Sequence, residues 1–262
     1  MQVEKIAFDF SCFPESRGRY NFPCHILPIG KGSHLKHLCL AACKLRLSPN
    51  LTSQFNPLRT LDLDNVPLDQ SDLDDHLRLV VLKSINLEIF EFHGLPRKLT
   101  FSDVPQLKKA VVWSLIIYQG TSTVCNGLAK DLPQLQFLSL LVKDEVPPLP
   151  AATPKFNSLK QLDLLILPFI DSDRVTLGVG CKGRGGRERR EHSRHTYLHL
   201  REVRMEGFRE RLNEMELAIY LLKNAIALER MVVVVSDGTE RQRVNNLLQK
   251  EKSNSTTEFI IL

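Results

Sequence analysis

Asp62 and Asp64 in "LRTLDLD", with Asp163 in "LKQLDL", are the residues whose type and spacing come nearest to acid/base chemistry. Paired carboxylates do such work when the fold holds them across one substrate, with a histidine or nucleophile at hand to complete the proton path. No histidine or nucleophile stands at a spacing that completes a site here, so these aspartates read as a solvent-facing recognition surface. Cys39 and Cys43 have His37 and Lys44 close in sequence, but no basic residue is placed to hold a thiolate. Cys181, His192 and His195 offer three zinc ligands in a Gly/Arg-rich stretch, short of the four a tetrahedral site needs. The chain is expected to be no enzyme and to need no metal or cofactor.

Charge is as uneven as the chemistry is sparse. The net charge is +5, and "KGRGGRERREHSRH" (182–195) holds six Lys/Arg against two Glu, so +4 of the +5 sits in fourteen residues. A fold-wide basic face for nucleic acid has no support in composition, which leaves RNA binding through this segment as the alternative function. A remnant with no retained activity is the other alternative. The six cysteines form no CxxC pair, the N-terminus has no signal layout, and no apolar run reaches membrane-spanning length. A soluble cytoplasmic or nuclear protein follows, with no membrane partner and reduced thiols. At 262 residues and 43% hydrophobic content, it can fill a core.

The elements that must carry these residues are set by a spacing. Apolar residues recur at i, i+3 and i+5 in nine places, starting at Val3, Leu35, Leu58, Leu87, Leu107, Leu135, Leu159, Leu200 and Leu228. The starts lie 20 to 41 residues apart, near the roughly 20–29-residue period of leucine-rich repeats. In each copy the last two apolar residues are the inward side chains of a short strand, and the first packs at the turn entering it. One copy cannot bury its face alone, but a stack of copies can. The fold class is α/β: a leucine-rich-repeat solenoid, a horseshoe of parallel strands with helical or irregular returns such as "DLDDHLRLVV", closed by a C-terminal α/β cap.

If i+3 and i+5 point inward, then i+2, i+4 and i+6 line the open concave face. The partner-binding residues read off in this way are Asp62, Asp64, Glu91, His93, Val111, Trp113, Phe137 and Asp163. The middle of this face is apolar and its flanks are acidic. Trp113, the single tryptophan, is the expected aromatic anchor for a protein partner.

Three units follow along the chain: repeats over 1–175, a basic Gly/Arg-rich loop or insertion over 176–197, and the last repeats with the cap over 198–262. In the cap, "NEMELAIYLLKNA" predicts a helix whose capping box is Asn213 with Glu216, and whose inward face is Leu217, Tyr220, Leu221 and Ala225. A strand at Val232–Val235, a helix in "TERQRVNNLLQKEK" and a closing strand in "TEFIIL" complete it.

"HLKHLCLAACKLRLSPN", "LRTLDLDNVPLDQSDLD" and "LREVRMEGFRERLNEMELAIYLLKNAIALERMVVVV" resemble the repeats and C-terminal FBD-type region of plant F-box/LRR proteins. The resemblance covers roughly 3–175 and 198–262, and is most specific in the C-terminal stretch. It implies a substrate receptor of a ubiquitin ligase, whose repeats hold the target while an N-terminal F-box docks on the Skp adaptor. The first copy begins at Val3, so the expectation is a chain without the F-box, and Skp docking is not expected of it unaided.

Overall fold

The computed structural model describes residues 3–12, 19–23, 34–46, 56–66, 68–69, 79–94, 98–114, 127–143, 156–167, 196–236, 241–251 and 256–262. Along them run β1 (Lys5–Asp9), β2 (Tyr20–Asn21), β3 (His37–Ala41), β4 (Cys43–Arg46), β5 (Thr60–Asp64), β6 (Leu68–Asp69), β7 (Leu79–Leu82) and β8 (Ile89–Gly94). Then come β9 (Lys98–Phe101), β10 (Lys109–Ser114), β11 (Phe137–Lys143), β12 (Gln161–Leu167), β13 (Glu202–Phe208), β14 (Arg230–Val235) and β15 (Glu258–Ile261). Two helices, Leu212–Asn224 and Arg241–Glu251, flank β14 in sequence.

Ten strands form one parallel sheet in the order β1-β3-β5-β8-β10-β11-β12-β13-β14-β15, which is the order of the chain itself. The sheet is open, without barrel closure. Pairing keeps the copies aligned residue for residue, so Leu38, Leu61, Phe90, Ala110, Leu138, Leu162, Val203 and Met231 form one continuous row. Leu40, Leu63, Phe92, Val112, Leu140, Leu164, Met205 and Val233 form the next. Nearly all of these side chains are buried, and each full burial of a Leu- or Phe-sized group contributes about 1.5–3 kcal/mol. The closing strand obeys the same rule as a tenth copy, with Phe259 beside Met231 and Ile261 beside Val233.

A further row precedes the strands. Leu87, Leu107, Leu135 and Leu228 each donate a backbone N–H to the carbonyl three residues earlier, on Ser84, Val104, Leu132 and Ala225. These turns bury the acceptor residue and expose the next one, which is Pro105 and Pro133 in two copies; proline suits that position because its φ is already set for the turn. Strand exits take two forms. In β11 and β12 the alternation runs on to buried Val142 and Ile166, whereas Ala42, Asn65 and Gly207 take positive φ and pass the inward position to buried Cys43, Val66 and Phe208.

Three expectations change. The return in "DLDDHLRLVV" ends in a strand, β7, which pairs in parallel with β9; Leu79, Val80 and Val81 favour an extended chain. The capping box starts two residues earlier than Asn213 with Glu216, at Arg211: Glu214 is buried and accepts the backbone N–H groups of Arg209 and Arg211 at 2.7 and 3.4 Å. The helix face turned to the core holds the expected Tyr220, Leu221 and Ala225, with Leu217 half-buried against them, and adds Glu214, Ala218 and Leu222. In the first copy the inward position of Phe8 is 41% exposed, because among the described residues β1 has a neighbour on one side only. The basic stretch 182–195, Cys181, His192 and His195 lie outside the described residues.

Candidate protein-binding surface

Strand alternation sends i+2, i+4 and i+6 to the face opposite the core, and the common register turns them into three rows across the sheet. Lys5, His37, Thr60, Ile89, Lys109, Phe137, Gln161 and Glu202 form the first. Ala7, Cys39, Asp62, Glu91, Val111, Ser139, Asp163 and Arg204 form the second. The third begins Asp9, Ala41, Asp64, His93, Trp113, and resumes with Leu141, Leu165 and Glu206. The expected residues Asp62, Asp64, Glu91, His93, Val111, Trp113, Phe137 and Asp163 all lie on this face.

Its apolar centre is Val111 with Trp113 on β10 and Phe137 on β11. Val111 is buried by its neighbours, while Trp113 stays 37% exposed, outside the core clusters that fill the opposite side of the sheet. The indole is fixed by two partners. Its ring stacks on His93 at a centroid distance of 4.7 Å and an interplanar angle of 13°. Its Nε1–H donates to Ser139 Oγ at 3.0 Å, which satisfies the polar edge of the ring and a hydroxyl that is itself buried. A preset aromatic of this kind loses little rotamer freedom on binding, the property that makes tryptophan effective at interfaces.

Asp62, Asp64 and Glu91 stand beside this centre on β5 and β8. Partial burial raises the Asp62 carboxyl above the usual aspartate range, and the neighbouring Glu91 carboxylate adds to the effect. Glu91 is bound by Lys109 Nζ at 2.7 Å, and the same ammonium lies 5.4 Å from the centroid of the Phe137 ring. His93 Nδ1 is 3.9 Å from Asp64 Oδ1. On β12, burial also raises Asp163, although Gln161 Nε2 donates to its Oδ1 at 3.2 Å. Four strand intervals of about 4.8 Å put Asp62 and Asp163 roughly 19 Å apart, too far to share one reacting bond.

The two thiols weighed in the sequence, Cys39 and Cys43, are not activated by position. Cys43 is buried in the core, and burial with the Asp62 charge nearby raises Cys39, the opposite of activation. Among the described residues no group of three His, Cys, Asp or Glu side chains could hold a metal ion, and no helix is long and apolar enough to cross a membrane. The arrangement suits contact: a fixed aromatic, an apolar floor and flanking charges on one surface.

Four residues that the same parity puts on this face, outside the eight singled out, also contribute: Ser139, Lys109, and Arg204 with Glu206, an ion pair whose Nε–Oε1 distance is 2.5 Å. Their signal was the cross-strand register, which gives Ser139 the row beside Trp113 once β10 and β11 are aligned.

Comparison with curated proteins and with solved structures found no match. Residues 196–233 match the FBD family, a span running from the bridge Tyr197–Ala225 through β13 and the helix Leu212–Asn224 into β14. The matched stretch is thus similar to the FBD domain, which is linked to F-box protein families and to a general role in protein interaction.

Proposed function

We propose that this chain is a non-enzymatic interaction module of the leucine-rich-repeat solenoid type, whose open sheet face holds a protein partner as the substrate-binding repeats of F-box/LRR ubiquitin-ligase receptors do. The observation that carries the reading is Trp113: a large aromatic held on the open face by His93 and Ser139 and left exposed there. Chain-order pairing of ten parallel strands and the repeated turn before them support the solenoid architecture. The FBD match supports the family context. In such receptors Skp docking belongs to the F-box, so Skp capture is no requirement of the reading. Reaction chemistry is no part of it either, and the cytoplasm or nucleus is its setting.

The test is capture of partners from plant cell extract by the tagged chain, beside Trp113→Ala and beside a chain lacking residues 182–195. A specific protein held by the native chain and by the deletion, and lost with Trp113→Ala, is the expected result. Binding that is indifferent to Trp113, falls steeply with salt and disappears with residues 182–195 would replace this function with nucleic-acid binding.

A further inference from the structure

The two outermost strands of the sheet have matching free sides. β1 pairs only with β3 and β15 only with β14, among the described residues. In the β1–β3 ladder the carbonyl of Glu4 accepts the N–H groups of Lys36 and His37, and the N–H of Phe10 donates to Ala41. By strand parity, the backbone groups of Lys5, Ala7 and Asp9 therefore point away from the sheet. At the other end, Glu258 donates to Glu229 and Leu262 to Val233, which leaves the backbone groups of Phe259 and Ile261 pointing outward.

The register rule that joins every neighbouring pair within the sheet can be carried one step further, from β15 of one molecule to β1 of a second. Glu258 then falls beside Lys5 in the open-face row. The row supports the match: Glu258 already lies next to Arg230, at 3.3 Å, and Lys5 has no ion pair among the described residues. In the two core rows Phe259 falls beside Ile6 and Ile261 beside Phe8. These side chains are half-buried or exposed, whereas their equivalents inside the sheet, such as Leu38, Leu40, Met231 and Val233, are buried. Around Phe8 the apolar surface is extended by Phe10 and Tyr20, which stack at 4.6 Å, and Tyr20 is 49% exposed. Backbone parity, charge and apolar rows thus agree in one register.

We infer that the chain associates with a second copy of itself head to tail, β15 of one molecule continuing the sheet into β1 of the next. Such a contact joins two different surfaces, so each added molecule leaves a fresh edge at both ends of the assembly.

The test is sedimentation velocity on the full chain and on edge variants over about two decades of concentration. The native chain is expected to show a mass that keeps rising with concentration instead of stopping at a dimer. Phe8→Asp and Ile261→Asp each block one edge; each alone is expected to sediment as a monomer, and the two mixed as a heterodimer that grows no further. Lys5→Glu and Glu258→Lys alter only exposed side chains and keep the test valid if an apolar variant misfolds. Each is expected to weaken association about two- to fivefold, as for one exposed ion pair, with recovery in the double variant. A native chain that stays monomeric overturns the inference and leaves the edges to a strand from another protein. Self-association that persists in Ile261→Asp but ends in Phe8→Asp overturns it in favour of symmetric β1 pairing.

Discussion

Gly207 on β13 packs against Ile166 on β12, and a Cβ added to it would fall onto the Ile166 carbonyl oxygen. The residue has φ +76° and marks the register shift between Glu206 and Phe208, where one extra residue lets Phe208 turn back into the core. Both facts require glycine: L residues avoid that φ, and the obstacle is backbone that cannot rotate away.

Gly207→Ala is therefore expected to destabilise the fold by about 2–4 kcal/mol, adding a left-handed backbone cost to overpacking. Urea unfolding of the two proteins measures it. The same substitution at Gly127, which has open space around it, serves as the control.

The two faces of the sheet should respond differently to truncation. Phe92→Ala empties a fully buried position in the core row and is expected to cost about 3–5 kcal/mol. Trp113→Ala removes a larger ring from the open face, where the main loss is the hydrogen bond to Ser139, so about 1–1.5 kcal/mol is expected. Comparable losses in the two unfolding curves would mean that Trp113 packs as core and would remove the anchor from the proposed surface.

How much of this could be read from sequence depended on the range of the interaction involved. The strand rows were legible because i+3 and i+5 encode them within six residues, as in Leu38 with Leu40 and Leu61 with Leu63. The preceding turn row was not, because Ser84, Val104, Leu132, Tyr197 and Ala225 share burial without sharing a residue type. Trp113 could be assigned to the open face by parity, but its fixing by His93 and Ser139 needed the pairing of strands 20 to 26 residues apart in the chain. The capping box failed for a related reason. Asn213 is the usual capping residue type, yet burial of Glu214 against the turn at Arg209–Arg211 decides where the helix begins.

Asp62 gives a pH signature for the open face. Its carboxyl is raised by partial burial first and by Glu91 second, so the folded state releases this proton at a higher pH than the unfolded chain does. The folded state is thus favoured below the ordinary aspartate value, and that advantage is lost as pH rises through the raised one. Asp62→Asn is expected to increase stability at neutral pH by at most about 0.5 kcal/mol, because water still reaches the carboxylate. The gain should vanish under acid conditions. Thermal melts of both proteins at the two pH values check the sign.

Glu214 carries the same sign with more at stake, since its side chain is buried and its Oε1 has no hydrogen-bond partner among the described residues. Oε2 accepts from the N–H groups of Arg209 and Arg211, which favours the carboxylate, but burial outweighs those bonds and raises the group above the usual glutamate range. A neutral carboxyl tolerates an unpartnered oxygen better than a carboxylate does. Stability should therefore fall as pH rises from the ordinary glutamate value through the raised one. Glu214→Gln keeps an acceptor for both N–H groups and removes the buried charge, so it is expected to match or exceed the native chain at neutral pH. Glu214→Ala leaves the N–H groups without that acceptor and is expected to lose about 1–3 kcal/mol. Urea midpoints for the three proteins at neutral and mildly acid pH separate charge from hydrogen bonding: the Gln variant should lose its advantage in acid, while the Ala variant should remain weaker at both.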